Sequence, residues 1–221
     1  MLGSRSGAQR ASYHRRIALA SIVAGAAVLS LAPGASAAGP QVKSASATIE
    51  STPTTTSATT VTYSAPWLSV EKYALFLVNC TRTGGWVLSS GSCRGYGSGH
   101  YSSYVRPLYY STGISNRVSR PYAKLLATRG VCSHFYDHDP GYRLRRAGYT
   151  SWTWGENIGC GDGYASAKSS VLASHRRMQA EKSTNGGHWK NMKNRYYRYL
   201  GVGVWRYGSR TRLVEDFYRP S

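Results

Sequence analysis

From Trp67 onward the apolar positions fall at helical intervals first and at strand intervals last. The segment WLSVEKYALFLVN, residues 67–79, spaces Leu68, Ala74, Leu75 and Val78 for one helix, with Ser69 placed as its cap two residues before Glu71. Residues 81–118 are rich in Gly, Ser and Tyr, show no sustained period and read as a long loop. SRPYAKLLATRG predicts a helix over 121–129, opened by Pro121 and stopped by Gly130. YRLRRAG is a short helical piece ending at Gly148, and SAKSSVLASHRRMQAEK predicts a longer helix over about 166–182. YLGVGVWRY and RLVEDFYR, parted by Gly208-Ser209, read as a strand hairpin. Helices first and a hairpin last predict an α+β fold with helices packed on a small antiparallel sheet.

Upstream the pattern changes. Residues 17–32, IALASIVAGAAVLSLA, form an apolar run behind four arginines, and Ala35-Ser36-Ala37 follows the helix-breaking Pro33-Gly34. A membrane-spanning helix needs about 20 apolar residues, so 1–37 reads as a cleaved secretory signal peptide. Residues 38–66 are Ser/Thr-rich and aperiodic and read as a linker, leaving 67–221 as one domain of ordinary size.

Charge narrows the partners. Lys and Arg number 28 against nine acids, a formal net charge of +19. Removing 1–37 takes four arginines and no acid, so +15 belongs to the mature chain. A secreted basic surface without a dense Lys/Arg tract suits an anionic cell-envelope polymer better than nucleic acid. The four cysteines behind a secretory leader imply two disulfides. The sequence-local pairing is Cys80–Cys93 and Cys132–Cys160, with no C-x-x-C pair to support a zinc-thiolate site.

Candidate chemistry rests on the scarce acids. Glu156 lies in the glycine-bracketed WGENIGCG, and Glu181 shares a helix face with Val171, Ser174 and Met178, all apolar or small. A carboxylate on an inward face wants a cation or a donor. His188 follows two glycines in NGGHWKN, a spacing that lets the imidazole turn back toward that helix. Two histidines with two glutamates would suit a divalent cation or a proton-transfer pair. HExxH, G-x-S-x-G, a P-loop and a dinucleotide fingerprint are absent, so those enzyme classes have no sequence support.

The order VNCTR, CSHF, RAGY, WGENIG, MQAEK, GGHWKN and LGVGVW resembles the CAP superfamily of cysteine-rich secretory, antigen 5 and pathogenesis-related 1 proteins, in a bacterial, Arg-rich form, over essentially all of 67–221. The resemblance implies an α-β-α sandwich around a cleft in which two His and two Glu hold a divalent cation such as Zn²⁺, Mg²⁺ or Ca²⁺. Carried over by motif, the set is His134, Glu156, Glu181 and His188, with His138 the alternative first histidine. The implied function is a secreted, monomeric binding domain for a cation or for a lipid or other small apolar ligand. A metal-dependent hydrolase is the alternative. Asn79 and Arg82 match the first-helix motif and are expected to make structural hydrogen bonds. Met178 stands where the family often has an aromatic.

Overall fold

The computed structural model describes residues 66–221, so the expected signal peptide and nearly all of the linker lie outside the described residues. The first helix, α1 (Leu68–Arg82), starts one residue later and ends three later than its sequence pattern suggests. Ser69 is not its cap. Trp67 holds that position without a side-chain hydrogen bond, and Glu71 is drawn inward instead. Its buried carboxylate accepts from both Arg120 nitrogens (2.7 and 2.5 Å), from Tyr110 Oη (2.8 Å) and from the Val204 amide (3.3 Å). Burial and the neighbouring carboxylate push the Tyr110 hydroxyl up to about 12.

The predicted loop holds several elements. A two-residue ladder, β1 (Trp86–Val87) with β2 (Cys93–Arg94), is tied to α1 by the Cys80–Cys93 disulfide. Then β3 (Tyr109–Tyr110) leads into α2 (Thr112–Ile114), a π-helical stretch (Ser115–Ser119) and α3 (Arg120–Arg129), which stops at Gly130 as predicted. The helical segment therefore begins well before Pro121. Its early part lacked an apolar period because serines 115 and 119 face the sheet, where they bond Val202 N (2.9 Å) and the Asp216 carboxylate (2.6 Å).

Next come α4 (Pro140–Arg146), capped by Asp139, then β4 (Trp154–Asp162), and α5 (Ala167–Ala180), capped by Ser166. A 3₁₀ turn (Glu181–Thr184) and α6 (Gly187–Lys193) precede the predicted hairpin, β5 (Tyr199–Tyr207) and β6 (Arg210–Tyr218). The main sheet has the order β3-β5-β6-β4. Three strands are antiparallel, while the short β3 runs parallel to β5, so the sheet is mixed. The GENIG segment is thus an edge strand, a role that its glycines and polar residues concealed.

Side-chain alternation divides the interior. Leu200, Val202, Val204, Leu213 and Phe217 meet α1, α5 and α6 in the larger core. On the other face Ile158 and Val214 meet Tyr122, Ala123 and Leu126 of α3. The result is the expected α-β-α layering, an α+β fold with both faces of the sheet covered. Among the described residues no helix is long and apolar enough to cross a membrane.

Candidate functional site

The site forms at the free edge of β4. A cavity of about 450 Å³ there is lined by His134, Glu156, Glu181 and His188, together with Thr184, Gly186, Gly187 and Asn191. The four side chains named from the sequence come together, but pairwise. His134 Nδ1 meets Glu156 Oε1 at 2.7 Å, and His188 Nδ1 meets Glu181 Oε1 at 2.5 Å. The two imidazole centroids face each other 6.4 Å apart. Among the described residues no three acidic, His or Cys side chains converge on one point, because each carboxylate is turned to its own histidine.

Local structure explains each placement. Cys132 is disulfide-bonded to Cys160 of β4, which pins the loop carrying His134 beside the strand carrying Glu156. Arg143 completes the clamp. It donates to the carbonyls of His134 (3.0 Å), Asp137 (3.2 Å) and His138 (2.6 Å), ion-pairs with Glu156 and stacks on Tyr122 with its guanidinium 3.5 Å from the ring centroid. On the other side Glu181 caps the C-terminus of α5, and Asn185 adopts a left-handed conformation (φ 51°) that reverses the chain. His188 then returns both its amide (3.0 Å) and its ring to Glu181. The adjacent glycine supplies room more than flexibility, since a Cβ at Gly186 would collide with the Glu181 carboxylate. Burial pushes the Glu181 carboxyl up, but the hydrogen bonds and charge of His188 outweigh it and hold the group below its ordinary range.

His138 lies elsewhere. It pairs with Asp137 (2.9 Å), stacks on Tyr142 at 4.1 Å and lines a separate cavity of about 410 Å³ beside α3 and α4. His134, not His138, faces His188. Met178 is buried and lines a third cavity of about 300 Å³, together with Ile158, the Cys132–Cys160 disulfide, Glu181 and His188. The polar chamber therefore adjoins a partly apolar shelf. Asn79 and Arg82 are structural, as expected: Asn79 bonds Leu108 both ways (3.0 and 2.8 Å), and Arg82 donates to the carbonyls of Arg106, Met192 and Asn194.

Several polar residues around the site escaped the sequence reading. Asn191 Nδ2 donates to the edge carbonyl of Glu156 (3.0 Å) and to Asn157 Oδ1 (2.9 Å), and Arg177 donates to the Cys160 carbonyl (3.1 Å). Side chains thereby cover part of an edge that would otherwise template another strand. Beneath the edge lie two fully buried acids of β6. Asp216 is the cross-strand partner of Glu156, and Glu215 that of Asn157. Burial pushes the Glu215 carboxyl up to about 8. Burial, reinforced by the nearby Glu156 charge, raises Asp216 as well. Two adjacent acids in an apolar strand were the available signal: alternation puts one on each face, and a sheet covered on both faces buries both.

No protein-family model matches the sequence, and no curated protein does. Solved structures do match. An extracellular SCP-domain protein from Bacillus anthracis str. Ames aligns at 21% identity and a TM-score of 0.48, over 69% of this chain and 41% of that one. This chain thus spans well under half of that protein. NaASP2, solved with Zn²⁺, aligns at 15% identity and a TM-score of 0.44, over 67% of this chain and 78% of that one. The CAP domain of Enterococcal PrgA aligns at 15% identity and a TM-score of 0.40, over 68% and 60% respectively. The chain resembles CAP-domain proteins. The segments CSHF, GENIG, MQAEK and GGHWKN are the ones that line or border the cavity.

Proposed function

We propose that the chain is a secreted CAP-domain binding protein whose cleft takes a divalent cation on His134 and His188. One observation carries the reading: both imidazoles present Nδ1 to a carboxylate and face each other across the same cavity. A carboxylate on Nδ1 fixes the tautomer that leaves the Nε2 lone pair free. The donor set thus fits a cation bound by two imidazoles, with Glu156 and Glu181 orienting them and not ligating. A bound cation would supply positive charge to an anionic ligand head, while the shelf formed by Ile158 and Met178 would take an apolar tail.

Calorimetric titration of the full chain with Zn²⁺, Mg²⁺ and Ca²⁺ tests this. One equivalent of at least one ion should bind, with His134→Ala and His188→Ala each weakening it at least about tenfold, in line with loss of a ligand or its orienting partner. Absence of binding by the wild-type chain, or binding by either variant as tight as that of the wild type, would overturn the cation reading.

A further inference from the structure

A second binding surface lies outside the His/Glu cleft. An open groove of about 650 Å³ runs between residues 103–106, residues 193–198 and Arg219, and it is lined by Arg106, Lys193, Arg195, Arg198 and Arg219 without one acid. None of these five cations ion-pairs with a carboxylate among the described residues. Arg106, Arg195 and Arg219 are exposed. Lys193 is held by the carbonyls of Thr81, Arg82 and Ser103 and by Ser102 Oγ, at 2.7 to 3.2 Å. Arg82 lies fully buried, donating to the carbonyls of Arg106 and Asn194, and adds a fixed positive charge beside the groove. So concentrated a charge of one sign, with no internal counterion, calls for an external one.

We propose that this groove binds a linear phosphodiester polymer of the cell envelope. A guanidinium matches a phosphate in a bidentate fork, and four of the five cations are arginines. The Lys193 donors are already taken, but a single phosphate engages only two or three such groups, so the four arginines still call for a ligand with repeated anionic groups. Nucleic acid fits less well. The Tyr196 ring already carries the guanidiniums of Arg195 (5.1 Å) and Arg219 (5.9 Å) and is no free platform for a base.

The test uses the full chain and a synthetic poly(glycerol phosphate) oligomer, with single-stranded DNA of equal phosphate number as the comparison. Arg106→Ala/Arg195→Ala/Arg219→Ala is set against Arg94→Ala/Arg129→Ala/Arg176→Ala, three exposed arginines outside the groove. At low salt the wild-type chain should bind the oligomer, and the groove triple should raise Kd about tenfold and flatten the log Kd against log salt slope by about two. The outside triple should leave Kd within about twofold. No wild-type binding, or equal weakening by the two triples, would show that charge is diffuse and overturn the proposal. Binding of DNA at least as tight as that of the oligomer would assign the groove to nucleic acid and overturn it too.

Discussion

The two His–Glu pairs of the cleft look alike in chemistry and differ in how they are built. His134 and Glu156 are 22 residues apart, and the Glu156 side chain is 1% exposed. A disulfide, an edge strand and the many-handed Arg143 bring them together. His188 and Glu181 are seven residues apart, about one-third exposed, and joined by a single left-handed turn. The first pair is held by the tertiary framework and the second by local backbone geometry. Framework assembly makes a side chain part of stability as well as of function, whereas local assembly leaves the two separable.

The contrast is sharpest in the response to carboxylate removal. Glu156→Ala leaves the Arg143 guanidinium, 9% exposed, without its counterion. Breaking such a pair costs about 3–5 kcal/mol, to be read from the midpoint of urea unfolding at constant slope. A loss of under about 1 kcal/mol would mean that Arg143 is held by its carbonyl contacts alone, and the distinction between the pairs would weaken.

Removing the disulfide comes next. Cys132→Ala/Cys160→Ala opens a loop of 28 residues and should cost about 2–4 kcal/mol. It should also weaken cation binding, since His134 is two residues from the bridge; in the His134→Ala background its removal should cause no additional loss if the disulfide acts only by placing His134. Calorimetry on the four chains reads both effects.

The pH response separates the two sides more finely. Glu215, buried beneath the framework side with its carboxyl raised to about 8, binds its proton more tightly folded than unfolded. Its contribution is complete below the unfolded value near 4.3 and is lost as pH rises toward 8. Glu215→Gln should therefore flatten the alkaline limb of Tm against pH. An unchanged limb would show that Asp216 or another group carries it.

Glu181 runs the opposite way. Its depressed carboxyl stabilises the fold above the unfolded value and loses that contribution as pH falls through the folded one. The pair is partly exposed, so Glu181→Gln should cost less than about 1 kcal/mol at neutral pH while still weakening the cation. A stability loss as large as that of Glu156→Ala would erase the comparison.

The same contrast governs what could be read from the sequence. His188 and Glu181 share a turn, so spacing alone hinted at their contact. The helices at 67–79, 121–129 and 166–182 and the terminal hairpin carried clear periods because each buries one apolar face. Glu156 was legible only through the motif around it. Its strand is an edge strand whose glycines make room for Asn191, Ser174 and Ser170, so no alternation announced it. Arg143, Asn191, Glu215 and Asp216 owe their roles to contacts at a distance, which local pattern does not encode. The stretch from 112 to 119 was hidden for a related reason: Ile114 and Val118 are its only buried apolar side chains, and the serines 115 and 119 that bond the sheet break any apolar period.

Gly201 and Gly203 of β5 show how far such tight packing reaches. A Cβ at Gly203 would lie 2.2 Å from the carbonyl of Ser119, and one at Gly201 would lie 2.2 Å from Ile114. The bare strand lets the π-helical backbone rest directly on the sheet, and Ser119 reaches Asp216 from that seat. The pair of glycines acts as the fulcrum of a short lever: adding a methyl group there would lift Ser119 away from the carboxyl that faces Glu156 across the ladder. The depth at which a helix sits on one side of the sheet is thereby transmitted to the electrostatics of a cleft that opens at its edge.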